Sequence, residues 1–230
     1  LHGSRKQRVR VEEIQLFSFD LDGTLLDTAP DFFYAVNKLR EDNGLESGDF
    51  SEVRSRVSEG AASLARYALN LDENQKEEIE KSRLELLEIY EKCCLGAKLF
   101  DGMSEVLLNL KDKSKNWGIV TNKPRKFAEP IVNEKFSGIN PDFLICPDDV
   151  GERKPSPKGL ELACKLTNVS SKNSIYVGDH LIDITSGKSA KMRTVAAAYG
   201  YIPKGDIASD WGADFVINHP LEINKIIESN

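Results

Sequence analysis

Cysteine, histidine, basic charge and long apolar runs are all scarce in this chain of 230 residues, and each scarcity removes a class of protein. The four cysteines, Cys93, Cys94, Cys146 and Cys164, lack the paired spacing of a metal site and are too sparse for a disulfide scaffold. Four reduced thiols are therefore expected. No apolar stretch approaches the ~20 residues of a membrane helix, and no charged-then-apolar signal segment opens the chain. No membrane partner is expected, and a cytoplasmic location is the default. Basic charge is outweighed, with 31 Lys and Arg against 37 Asp and Glu and a net charge of −6, which argues against a general nucleic-acid surface. Internal repeats and low-complexity segments are absent too. The basic opening Leu1–Arg10 is set aside from the fold reading.

What the chain does hold is a concentrated acidic loop. In Phe19-Asp20-Leu21-Asp22-Gly23-Thr24-Leu25-Leu26-Asp27 two carboxylates, two residues apart, follow the apolar run Ile14–Phe19 and precede a glycine turn. That run is short, branched and aromatic, as in an interior strand of a parallel sheet. Ligands of open α/β sheets bind just past the carboxyl ends of such strands. Two carboxylates about 4 Å apart repel by roughly 4 kcal/mol at an effective dielectric of about 20, so a cation is expected beside them. A hard divalent ion suits oxygen ligands, and Mg²⁺ keeps several waters alongside one or two carboxylates. Taken alone, the same residues also describe a tight turn at Asp22-Gly23 with Asp20 capping the next helix.

Three later segments add to this loop. Trp117–Thr121 is again an apolar run ending in a hydroxyl residue, which can bond a phosphoryl oxygen or simply cap a helix. In Arg153-Lys154-Pro155-Ser156-Pro157 prolines fix the backbone around a lysine before an expected helix 157–166. Held this way, a lysine acts as a point charge on phosphate and carboxylates; otherwise it is a solvated cation. Ser174–Asp183 repeats the opening logic: a strand, Gly178, then Asp179 and Asp183 at a spacing of four, expected on one face of a helical turn. His180 lies beside Asp179 and reads as a polar rim residue, while His2 and His219 are remote.

These four segments, in this order, resemble the motifs of the haloacid dehalogenase superfamily of phosphohydrolases from about Val11 onward. The resemblance implies an α/β, Rossmann-like core with a parallel sheet and helices on both faces. It implies that Asp20 is the nucleophile, carrying a transient aspartyl-phosphate. Asp22 would be general acid on the leaving oxygen and then general base on water. Thr121 and Lys154 would hold the phosphoryl oxygens, with Asn122 beside them. Mg²⁺ would sit on the Asp20 carboxylate, the Asp22 backbone carbonyl and Asp179. Asp183 would orient a metal-bound water or pair with Lys154. An acid at position 22 also points to phosphoryl transfer, since dehalogenases of the superfamily lack one there.

Between the first two motifs helical spacing dominates. Helices are expected from 29 to 43, 50 to 57, 61 to 69 and 73 to 93, making residues 28–96 an all-helical insert in a core of 1–27 and 97–230. Beyond it the expected strands are 117–121, 142–146, 174–177, 193–197 and 214–217. The insert resembles the small cap that closes over substrate in one branch of the superfamily. Ser58-Glu59-Gly60 and Arg66 are its candidate substrate readers, although Glu59 and Arg66 read equally well as solvated charges. A small phosphorylated metabolite is the expected partner, and the chain a monomer or homodimer. The whole pattern is similar to the bacterial phosphoglycolate phosphatase group. Lys98–Met103, Leu144–Asp148 and Tyr199–Pro203 are similar to a narrower subgroup that includes an N-acetylmuramic acid 6-phosphate phosphatase. A sugar-phosphate mutase, and a phospho-accepting binding module without turnover, use the same Asp20 and stand as alternatives.

Overall fold

Leu-Phe-Ser-Phe at 16–19 forms β1, and all four residues are buried, as a strand covered on both faces requires. The structure is a computed structural model and describes residues 13–228. Leu1–Arg10, His2 and the rest of the first 12 residues of the expected core segment lie outside the described residues. After β1 come β2 (Leu26–Asp27), α1 (Ala29–Asp42), α2 (Phe50–Arg54), α3 (Ala61–Ala68), α4 (Lys76–Glu91) and β3 (Lys98–Leu99). The rest alternates: α5 (Met103–Asp112), β4 (Asn116–Val120), α6 (Arg125–Lys135), β5 (Leu144–Ile145), α7 (Pro147–Val150), α8 (Lys158–Thr167) and β6 (Ser174–Gly178). It closes with α9 (Leu181–Ser189), β7 (Arg193–Ala197), β8 (Phe215–Ile217) and α10 (Ile223–Glu228).

Six strands form one sheet in the order β5-β4-β1-β6-β7-β8, every neighbouring pair parallel. The sheet is the expected α/β core. Phe19 pairs with Ile119 on one side and Val177 on the other, so the loops after β1, β4 and β6 open at one edge. Strand order reverses around β1, which is where such sheets place a ligand crevice.

Two strands are shorter than expected for the same reason. Asp142 accepts a hydrogen bond from the Trp117 amide at 2.9 Å, and Asp214 from the Thr194 amide at 2.7 Å. Each side chain takes an N–H that ladder pairing would otherwise use, so β5 begins at Leu144 and β8 at Phe215.

The insert between β2 and β3 is helical, as expected, but a two-stranded antiparallel ribbon at its base was not foreseen: Leu26 pairs with Leu99 and Asp27 with Lys98. α2 also ends early, at Arg54, and a short turn of tighter helix at Val57–Glu59 follows. Gly60, at φ +97°, reverses the chain into α3. One apolar cluster runs from the sheet (Phe17, Phe19, Trp117) into the insert (Phe32, Leu86, Tyr90), seating the insert over the strand ends. No helix among the described residues is long and apolar enough to cross a membrane.

Candidate active site

Asp20 leaves β1 with its amide donating to Val177 O at 2.9 Å, which pins it at the carboxyl ends of two central strands. Its Oδ1 accepts from the Leu21 amide at 2.7 Å and pairs with Lys154 Nζ at 2.9 Å. Lys154 also pairs with Asp183 Oδ1 at 2.7 Å and donates to Tyr176 Oη at 2.8 Å. Burial opposes its charge, but Asp183 and Asp20 prevail and hold the ammonium above its ordinary range. Asn122 positions this lysine through its backbone: Oδ1 accepts from the Lys154 amide at 2.7 Å and Nδ2 donates to its carbonyl at 3.2 Å.

Asp179 and Asp183 do meet at this site, but not as neighbours on a helix face. α9 begins only at Leu181, and Asp183 caps it, accepting from the His180 amide at 3.0 Å. Asp179 belongs to the turn that leaves β6. Its Oδ2 accepts from the Tyr201 amide at 2.8 Å and from Ser58 Oγ at 2.9 Å, and its Oδ1 from Thr24 Oγ1 at 3.1 Å. Gly23 is obligatory beside it: φ is +80°, and a Cβ there would lie 2.1 Å from Asp179 Oδ2.

Three buried carboxylates thus face one buried ammonium, an excess of two negative charges. Oxygens of Asp20, Asp179 and Asp183 lie within 4.8 Å of one another. The strain shows in their titration: burial, against the pull of Lys154, pushes Asp20 up to about 6. Burial and the charges of Asp20 and Asp183 push Asp179 up to about 8. An all-oxygen donor set with two uncompensated charges fits a hard divalent cation such as Mg²⁺. The carboxylate of Asp22 is not part of that cluster. It pairs with Lys123 Nζ at 3.0 Å, and the same ammonium donates to Tyr90 Oη at 2.9 Å from α4. Lys123 also lies 5.0 Å from the ring centre of Phe32 and 4.6 Å from that of Tyr90, rings stacked 4.0 Å apart.

Thr121 is buried; its amide donates to Ile145 O at 3.0 Å and its Oγ1 accepts from the Lys123 amide at 3.1 Å. Its hydroxyl proton is left to donate. Asp20, Asp22, Thr121 and Asn122 line a cavity of about 590 Å³, closed on its far side by Ser58, Glu59 and Gly60 and by α4. Arg66 does not line it. That side chain pairs with Glu73 at 2.6 Å on the outer surface, because its place on α3 turns it away from the Gly60 loop. The sequence reading also missed Lys123, two residues past Thr121, and the α4 residues Glu80, Arg83 and Tyr90 that line the cavity. The spacing of Glu80, Arg83, Leu87 and Tyr90 was the available signal, since it places them on one helix face.

The chain is similar to known proteins in sequence and in fold. The N-acetylmuramic acid 6-phosphate phosphatase of Pseudomonas putida is 44% identical, over 92% of this chain and 95% of that protein. The phosphoglycolate phosphatase of Xanthomonas campestris is 36% identical, over 89% and 92%. Among solved structures, a predicted phosphoglycolate phosphatase from Haemophilus somnus superposes with a TM-score of 0.80 at 26% identity, covering 93% of this chain and 97% of that one. The sequence profile of the haloacid dehalogenase-like hydrolases matches residues 18–197, so the chain belongs to that family.

Proposed function

We propose that this hydrolase is a Mg²⁺-dependent phosphomonoesterase working through an aspartyl-phosphate on Asp20, with an amino-sugar 6-phosphate of the N-acetylmuramic acid type as substrate. The observation that carries it is the pairing of Asp20 with a buried lysine at the floor of a cavity of about 590 Å³. Such a volume matches small-molecule sites that enclose a ligand of sugar size, whereas a two-carbon ester would leave most of it to water. The relative at 44% identity acts, by its name, on that sugar phosphate. The phosphoglycolate phosphatase at 36% identity supports 2-phosphoglycolate as the second reading.

Lys154 and the Leu21 amide engage Asp20 Oδ1, which keeps the carboxylate ionised and leaves Oδ2 free to attack phosphorus. Thr121 Oγ1 donates to a phosphoryl oxygen, and the Lys154 ammonium spreads its charge over the same group. As the phosphorus–oxygen bond to the sugar breaks, Asp22 gives its proton to the departing oxygen. It then takes a proton from the water that cleaves the Asp20–phosphorus bond, so Asp20 is again a carboxylate and Asp22 again carries its proton. Asp179, with Asp20 and the Asp22 carbonyl, would hold Mg²⁺, which would supply charge compensation between an anionic nucleophile and an anionic ester. The insert, as a cap over residues 28–96, excludes other water.

The test is phosphate release with Mg²⁺ from N-acetylmuramic acid 6-phosphate, 2-phosphoglycolate and glucose phosphates, with Asp20→Asn as the blank. The muramic acid ester is expected to give the highest kcat/KM. Preference for 2-phosphoglycolate would install the second reading. Equal release by wild type and Asp20→Asn would remove the mechanism, and product isomers without free phosphate would make the protein a mutase.

A further inference from the structure

Past the phosphoryl end, the cations of the cavity are unequally committed. Lys123 is occupied by Asp22 and Tyr90. Lys154 lies under the floor between Asp20 and Asp183. Two guanidinium groups remain on the walls, Arg153 and Arg83. Arg153 follows the core side, donating from Nη2 to Asn122 O at 3.3 Å. Arg83 stands on α4, where Glu80 grips one edge of it: Nε donates to Oε2 at 2.7 Å and Nη2 to Oε1 at 2.6 Å. That bidentate clamp fixes the plane of the guanidinium, and Nη1 has no hydrogen-bond partner among the described residues. The clamp also holds the guanidinium firmly charged.

α4 works as a ruler. Tyr90 touches the Lys123–Asp22 pair at one end of the cavity, and Arg83 lines the same cavity two turns away. Seven residues of helix advance about 10 Å, so the two groups are separated by roughly that length along the axis. In 2-phosphoglycolate one methylene and one oxygen separate phosphorus from the carboxylate, too short a span. A hexosamine ring between a 6-phosphate and a carboxyalkyl ether bridges it. Glu59, which also lines the cavity, can accept hydroxyl and amide protons.

We propose that Arg83, held flat by Glu80, reads the substrate's carboxylate, so that the enzyme selects a phosphorylated sugar acid over the same sugar without the acid. This rests on the phosphomonoesterase reading of the site.

The experiment compares kcat/KM for N-acetylmuramic acid 6-phosphate and N-acetylglucosamine 6-phosphate, which differ only in the lactyl ether. The ratio is measured in wild type, Arg83→Met, Arg83→Lys and Arg153→Met, each checked for an unchanged melting temperature. Wild type is expected to show a ratio of about 10 or more, the discrimination of one charge-assisted pair. Arg83→Met should bring it close to about 1, mostly through KM, because a distal carboxylate is bound alike in ground and transition states. Arg83→Lys should fall between the two, and Arg153→Met should keep the wild-type ratio. The proposal is overturned by a wild-type ratio near one, by a ratio that survives in Arg83→Met, or by one that moves with Arg153 instead. A 4-nitrophenyl phosphate arm separates the two readings. If Asp20-dependent turnover of that ester persists while the sugar ratio fails, only the role of Arg83 is lost; if no ester turns over, the phosphomonoesterase reading falls and takes this one with it.

Discussion

The floor and the far wall of the cavity are built on different principles. At and beneath the floor, Asp20, Lys154, Asp183 and Asp179 are buried, each with two or more partners at hydrogen-bond distance; Asp20 and Asp179 directly follow β1 and β6, while Lys154 comes from the loop before α8 and Asp183 from the first turn of α9. On the wall, Arg83 and Glu80 are half-exposed and bonded to each other on a single helix. The floor is tied to the sheet through β1 and β6, whereas the wall pair depends on α4 alone. Chemistry that must not vary is thus kept apart from recognition that can.

Breaking the floor should cost most. Lys154→Met leaves Asp20 and Asp183 without their cation, and is expected to lower stability by about 3 kcal/mol and kcat by about 100-fold. Chemical denaturation and phosphate release measure the two losses; a variant as stable and active as wild type would show that the lysine is dispensable.

The second prediction concerns charge. Asp20 and Asp179 hold protons in the native state, up to about 6 and about 8, that the unfolded chain releases near its ordinary 3.8. Unfolding then releases protons across that window, so without metal stability must fall as pH rises from about 4 to about 8. A fall of roughly 5 °C in melting temperature between pH 5 and pH 8 is expected, with most of it restored by millimolar Mg²⁺. A pH-independent melting temperature, or no response to Mg²⁺, would contradict the uncompensated charge.

Where floor meets wall the effect should be smaller. Tyr90→Phe keeps the ring stack but deletes the hydroxyl that accepts from Lys123, and should lower stability by about 1 kcal/mol and kcat a few-fold. Unchanged kinetics would detach α4 from the chemistry. The smallest effect belongs to Arg66→Ala, which removes an exposed pair with Glu73 outside the cavity. Stability should shift by no more than about 0.5 kcal/mol and kcat/KM by less than about twofold. A large loss would put Arg66 back among the substrate readers.

The same division separates what the sequence displays from what it hides. Asp20, Thr121 and Asp179 sit where short apolar runs end, so strand periodicity locates them, and Lys154 is marked by the prolines that follow it. Lys123 escapes because its partners, Tyr90 and Phe32, come from the insert and are brought to it only by packing. Arg83 escapes because one arginine among the many charges of α4 looks like a solvated face. Arg66 misleads because closeness in sequence to Gly60 says nothing about helix rotation. The ribbon of β2 and β3 is two residues long on each side, below the reach of any periodicity. At Asp183 the spacing of four was real, but its cause is a helix cap and not a helix face.

That small ribbon also decouples the insert from the sheet. Because Leu26 lies beside Leu99, the chain departs for the insert and returns at nearly the same point, and the central strand meets its neighbour β4 regardless of what lies between. Closing a loop twice as long costs only about 0.6 kcal/mol more, so the length of the segment weighs little on the closure of the sheet. Changes of length between Asp27 and Lys98 are therefore expected to leave the six-stranded sheet in register.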